Sequence, residues 1–141
     1  MTPQDIMTIR SHVALLKGRE EEFAADFYAR LFEIAPQVRA MFHADMAEQG
    51  RKLMTVLAFA VGALDKPEVL APAVRRLGAQ HAAYGVQMAH FEPVGAALLH
   101  TLAKWLGQGF DDAAWAAWTG AITALAGLMA DGLNEARARA A

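Results

Sequence analysis

Apolar residues recur three and four positions apart from near the start of this chain to near its end, the spacing that lines one face of an α-helix. The first stripe is Ile6, Ile9, Val13 and Leu16. It follows Thr2-Pro3 and Asp5, which read as an N-cap, a proline in the first turn and an acid at the positive helix end. That helix is expected to stop around Lys17-Gly18. Residues 19 to 34 open with four charged positions and then place Phe23, Phe27, Leu31 and Ile34 on one face, with Tyr28 and Phe32 beside it. Pro36 starts a short turn ending near Met41-Phe42. Residues 43 to 48 carry no period and read as a connector, so the next helix is expected from Gln49. Its apolar face is Leu53, Val56, Leu57, Ala60, Val61 and Leu64, and Asp65-Lys66-Pro67 ends it.

The second half repeats the pattern. Leu70, Val74, Leu77 and His81 form a stripe that Gly85 interrupts. Phe91, Val94, Leu98, Leu102 and Trp105 follow, then Gly107-Gln108-Gly109, then a last helix from Asp111-Asp112, where acids suit an N-terminus. With 32 alanines against one serine and one asparagine, turns and strands lack their usual residues. The expected fold is all-α, one domain over residues 1–141, with about seven helices packed obliquely.

Charge and composition exclude several functions. Thirteen basic and 15 acidic residues, interspersed, give no electrostatic footprint for nucleic acid or an anionic membrane. Residues 113 to 130 run 18 positions without a formal charge, long enough to raise the question of a membrane span. Alanine, Gly120, Gly127, Thr119 and Thr123 make that stretch weakly hydrophobic, so it is expected to be a core helix. The opening residues do not read as a secretory signal, and a cytoplasmic protein is expected. The absence of cysteine removes disulfides, thiolate metal sites and covalent haem attachment.

Five histidines remain as candidate metal ligands: His12, His43, His81, His90 and His100. None forms an HxxxH pair or an ExxH pattern, so a metal cage built from protein side chains alone is not expected. No phosphate-binding glycine loop occurs, and Ser11 is the single serine. His81 continues an apolar stripe within residues 77–91, which carry no formal charge, so its ring should face the interior. It fits either a core histidine satisfied by a backbone carbonyl or an inward-facing ligand. Gln49 shares a face with Leu53, Val56 and Leu57, and Tyr28 flanks the stripe of its own helix, so two further polar groups look inward.

Five segments carry a resemblance: 27–32 (FYARLF), Pro36 with Met41-Phe42, 49–54 (QGRKLM), 77–86 (LGAQHAAYGV) and 90–95 (HFEPVG), with Trp105 to Phe110 and Ala117-Trp118 after them. In order and separation they resemble the bacterial single-domain globins, kin to the haem domain of flavohaemoglobins and to neuroglobin-like bacterial globins. The resemblance implies a globin fold around a non-covalent haem b, with His81 as the proximal iron ligand and Phe42 packed on the porphyrin. Leu77 is the candidate carbonyl partner for the other ring nitrogen of His81. Tyr28, Gln49 and Leu53 map to the distal side, while Val86, Phe91 and Val94 map to the haem surround. Lys52 either reaches a haem propionate or is a solvated surface lysine. His43 is expected to face solvent.

A distal Tyr28 and Gln49 imply reversible O2 binding, with NO and CO as further diatomic ligands. The alternative is nitric oxide dioxygenase activity served by an external reductase, because residues 134 to 141 are too few for a reductase domain. A haem-based sensor module or a cofactor-free helical interaction protein agrees less well with these residues. A monomer or weak homodimer is expected. Flavohaemoglobins support the proximal histidine with a tyrosine and a glutamate; the matching positions here read as Phe91 and Leu133, which weakens the case for peroxidase-like chemistry.

Overall fold

The computed structural model describes residues 1–43 and 45–140. Six α-helices form it: α1 (Pro3–Leu15), α2 (Glu20–Ile34), α3 (Met46–Gly62), α4 (Pro67–Ala82), α5 (Phe91–Leu106) and α6 (Asp112–Ala140). A six-residue 3-10 helix, Pro36–Met41, joins α2 to α3 and makes the expected seventh. Among the described residues there is no strand.

The caps expected at the first helix are present. The Thr2 hydroxyl accepts from the Asp5 backbone N–H at 3.1 Å, and the Asp5 carboxylate accepts from the Thr2 N–H at 3.0 Å. The start of α3 differs from expectation by three residues. The Asp45 carboxylate accepts from the Ala47 N–H at 3.2 Å and its carbonyl from the Gln49 N–H at 2.9 Å, so the helix begins at Met46. Of the presumed connector 43–48, three residues are therefore helical, and Ala44 lies outside the described residues. The far end of α3 is closed from another helix. Arg10 donates to the Val61 and Gly62 carbonyls at 3.2 and 2.9 Å and pairs with Asp65 at 2.8 Å.

The largest core cluster joins α1, α2, α3, α5 and α6 through Ile9, Leu16, Phe23, Met54, Leu102 and Trp118. Burying a side chain such as Leu102 stabilises the fold by roughly 1.5–3 kcal/mol. Trp118, almost fully buried on α6, donates its indole N–H to His12 Nδ1 on α1 at 3.0 Å. The uncharged stretch 113–130 thus serves as a packing helix, placing Ala114, Ala117, Trp118 and Ala121 on one buried stripe. By length and composition alone α6 could cross a membrane, with a mean hydropathy of 1.4 over its most apolar window.

Among the described residues α4 and α6 share the most extensive contact of any helix pair. A Cβ at Gly78 would overlap the Met129 carbonyl, and one at Gly132 would overlap the Arg75 carbonyl. Two backbones are in contact there, which only glycine allows. Gly132→Ala should therefore force the helices apart and destabilise the protein by about 1–3 kcal/mol, read as a lower urea midpoint.

His12 yields a second expectation. Burial pushes its imidazole below the ordinary value of 6.5, against the opposing influence of the Asp111 carboxylate and the Gly109 carbonyl. The unfolded chain then takes up a proton first as the pH falls. Stability should decline from about pH 6.5 down through the depressed value and level off below it. In His12→Gln the urea midpoint should lose that component of its pH dependence.

Candidate functional site

Tyr28 stands on the inner face of α2, held by three aromatic neighbours. Phe27 meets its ring edge-on at 4.9 Å, Phe42 edge-on at 5.3 Å, and Phe32 lies stacked at 6.0 Å. Phe42 reaches this cluster because the 3-10 helix ends beside it; its N–H bonds back to the Arg39 carbonyl at 3.2 Å. From α3, Gln49 Nε2 donates to the Tyr28 hydroxyl oxygen at 3.3 Å. Leu53, one turn further along α3, packs on the same cluster with Leu98 of α5. The structure thus brings Tyr28, Phe42, Gln49 and Leu53 together from separate elements.

Only 6% of Tyr28 is exposed. Burial pushes its phenol above the ordinary value of 10, and the Gln49 amide lowers it by a smaller amount. Tyr28 is therefore neutral through the physiological range and keeps its proton to donate. Because the oxygen already accepts from Gln49, that proton is directed elsewhere.

His81 lies near the end of α4, partly buried, with Nδ1 2.7 Å from the Leu77 carbonyl. That contact fits an N–H at Nδ1, which leaves Nε2 with a free lone pair. Val86 sits in the turn after α4, and its N–H reaches the His81 carbonyl at 3.4 Å. Phe91 and Val94 stand one turn apart on α5, in the stripe that continues to Leu98 and the tyrosine cluster. Lys52 is exposed and pairs with Glu48 at 3.7 Å. His43 is exposed.

Comparison with known proteins decides the family. The globin family's sequence model matches residues 25–129. The chain belongs to the globins. A flavohemoprotein of Xylella fastidiosa is 32% identical over 134 residues, covering 92% of this chain and 33% of that protein. One from Bordetella parapertussis is 29% identical over 132 residues, with the same two coverages. The chain spans about a third of the length of these relatives. A bacterial globin of Campylobacter jejuni superposes with a TM-score of 0.83 at 27% identity, covering 95% of this chain and 97% of that one. An engineered carbene transferase, based on a proposed nitric oxide dioxygenase of Rhodothermus marinus, superposes with 0.87 at 28% identity, covering 98% and 96%.

Membership implies a haem cofactor and diatomic-gas ligands, and the side chains of this globin fit a haem. Among the described residues no three His, Cys, Asp or Glu side chains gather to hold an ion. A single imidazole with one nitrogen held and the other free suits an iron whose equatorial donors come from a porphyrin. The stripes leading from Leu53 and Phe91 also carry part-exposed apolar groups, Val56 at 37% and Val94 at 38%, area suited to a flat hydrophobic macrocycle. Phe91 is half-buried and Leu133 fully buried, and neither side chain can hydrogen-bond an imidazole.

Sequence reasoning missed one side chain beside this site. Arg137 of α6 donates to the Val86 carbonyl. Its only sequence signal is register, since Ala130, Leu133 and Arg137 fall on one helix face.

Proposed function

We propose that this globin binds O2 reversibly on a ferrous haem b, with His81 as proximal ligand and Tyr28 and Gln49 on the distal side. The observation that carries the reading is the Gln49 Nε2 to Tyr28 oxygen hydrogen bond at 3.3 Å, inside an apolar cluster. The lack of cysteine supports a non-covalent haem b rather than an attached one. A haem held here would supply iron to bind a diatomic ligand.

The chain's own residues do the rest. His81 would hold the iron through Nε2 while Leu77 fixes the ring. Phe42, Leu53, Val86, Phe91 and Val94 would cover the macrocycle and keep water out. Lys52 would reach a propionate by releasing Glu48, an exposed pair worth little. Gln49 occupies the Tyr28 oxygen as acceptor, which would leave the phenol proton for the ligand. A polar ligand gains more from that donor than CO does, because the hydrogen bond forms in a medium of low dielectric.

The likeness to the engineered protein based on a proposed nitric oxide dioxygenase favours a second reading, nitric oxide dioxygenase activity. One NO, one O2 and one electron give one nitrate, and the electron would come from an external reductase. The same tyrosine donor would serve, by stabilising negative charge that develops on the oxygen during the reaction.

Tyr28→Phe should speed O2 dissociation roughly twofold to tenfold, the effect of one ordinary hydrogen bond, and Gln49→Leu should speed it less. Laser photolysis or stopped-flow displacement by CO measures both, and unchanged rates in the two variants would overturn the distal assignment. Mixing the oxygenated protein with NO separates the two readings. With an electron donor supplied, nitrate formed far beyond one equivalent per haem supports the dioxygenase, and nitrate limited to one equivalent leaves the carrier.

A further inference from the structure

Arg137 joins the far end of α6 to the turn that follows His81. A guanidinium nitrogen donates to the Val86 carbonyl from 51 positions away in the chain. The turn folds back on His81 itself: the Tyr84 and Val86 N–H groups reach the His81 carbonyl at 3.1 and 3.4 Å. The Tyr84 ring stands edge-on to the imidazole with centroids 5.8 Å apart. Gly85, at φ +77°, supplies the left-handed residue that ends α4 and turns the chain. Tyr84, Gly85, Gln87 and Met88 are all exposed, so packing does little to hold this segment.

We propose that Arg137 is a positioning residue for His81, clamping the turn after α4 so that the imidazole keeps one tilt toward the haem. The inference rests on the reading of His81 as the proximal ligand. Leu77 fixes the ring from the N-terminal side through Nδ1, at 2.7 Å. The C-terminal side of His81 leads directly into the turn, and any slack there passes to the helix end that carries the ring. A charge-assisted bond from a planar guanidinium to the Val86 carbonyl removes that slack more firmly than a neutral bond would. The clamp has a rigid base, because Leu133, one turn before Arg137 on the same face, is fully buried. Phe91 and Leu133 offer His81 no hydrogen bond, so the ring of this globin depends on backbone partners, which are only as well placed as the backbone is.

The test uses the full haem-loaded chain with Arg137→Met, which keeps bulk and loses the donor, and Arg137→Lys, which restores a charged donor without the planar fork. Resonance Raman spectra of the five-coordinate ferrous form report the iron–histidine stretch. Haem transfer to apomyoglobin reports retention. In Arg137→Met the stretch should fall and broaden and haem transfer should quicken on the order of tenfold, the low end of what losing an orienting partner of a metal-bound histidine costs. Arg137→Lys should recover part of both, and the urea midpoint of the apoproteins should not move. Unchanged stretch and transfer in Arg137→Met would overturn the proposal, as would changes that merely track a fall in the apoprotein midpoint. Absence of an iron–histidine stretch in the parent protein would overturn the reading of His81 itself, a distinguishable failure.

Discussion

The backbone contact between α4 and α6 sets where His81 can stand. Gly78 lies three residues before His81, less than one turn of α4, and touches the α6 backbone at Met129. Gly132 makes the reciprocal approach to Arg75. A helix pinned this closely cannot slide or roll without a clash, so the height and facing of the His81 ring follow from two missing methyl groups. Other attachments of α6 tie that crossing to the rest of the fold. Trp118 hydrogen-bonds His12 on α1, and Arg10 of α1 closes the end of α3, the helix that carries Gln49 and Leu53. Elements that never meet the site thus fix the position of its parts.

The surroundings of Tyr28 and of His81 are built by different means. On the tyrosine side, side chains hold side chains: aromatic rings fix Tyr28, and an amide fixes its hydroxyl. Such a network is stiff because each member has one low-energy arrangement, and its energetic value rises as water leaves. On the histidine side, backbone holds the side chain, through the Leu77 carbonyl and the turn at residues 83–86. Stiffness there depends on helix ends, which are the softest parts of a helical fold.

The helix pattern was open to reading from spacing alone, because an apolar stripe every three to four residues can bury itself in few other ways. Tyr28, Gln49 and His81 stood out by the same logic, as polar groups on apolar faces. The start of α3 was also encoded, in Asp45 as an N-cap, but a connector without apolar period masked that cap. The contacts of Gly78 and Gly132, the His12–Trp118 bond and the Arg137 clamp were not open to reading in this way. Each joins positions whose separation, 51 or 106 residues in the two hydrogen bonds, says nothing about nearness until the chain is folded. Local pattern announces which face of a helix is inside; it is silent about which other face it meets.

The partner of His81 also bears on what chemistry the site favours. A carboxylate on Nδ1 would draw the ring toward imidazolate and make it a stronger electron donor to iron, which assists cleavage of an oxygen–oxygen bond. The Leu77 carbonyl is neutral, and Phe91 and Leu133 can supply neither charge nor a hydrogen-bond relay. As the proposed proximal ligand, His81 would donate as an ordinary hydrogen-bonded imidazole does. In the tyrosine cluster a neutral phenol keeps one proton, and its oxygen accepts from an amide that cannot titrate. A site with a modest push and a single pull suits keeping O2 intact, whether for release or for transfer to a radical partner such as NO. On the proposed reading, that balance favours O2 binding or dioxygenation over peroxidase chemistry.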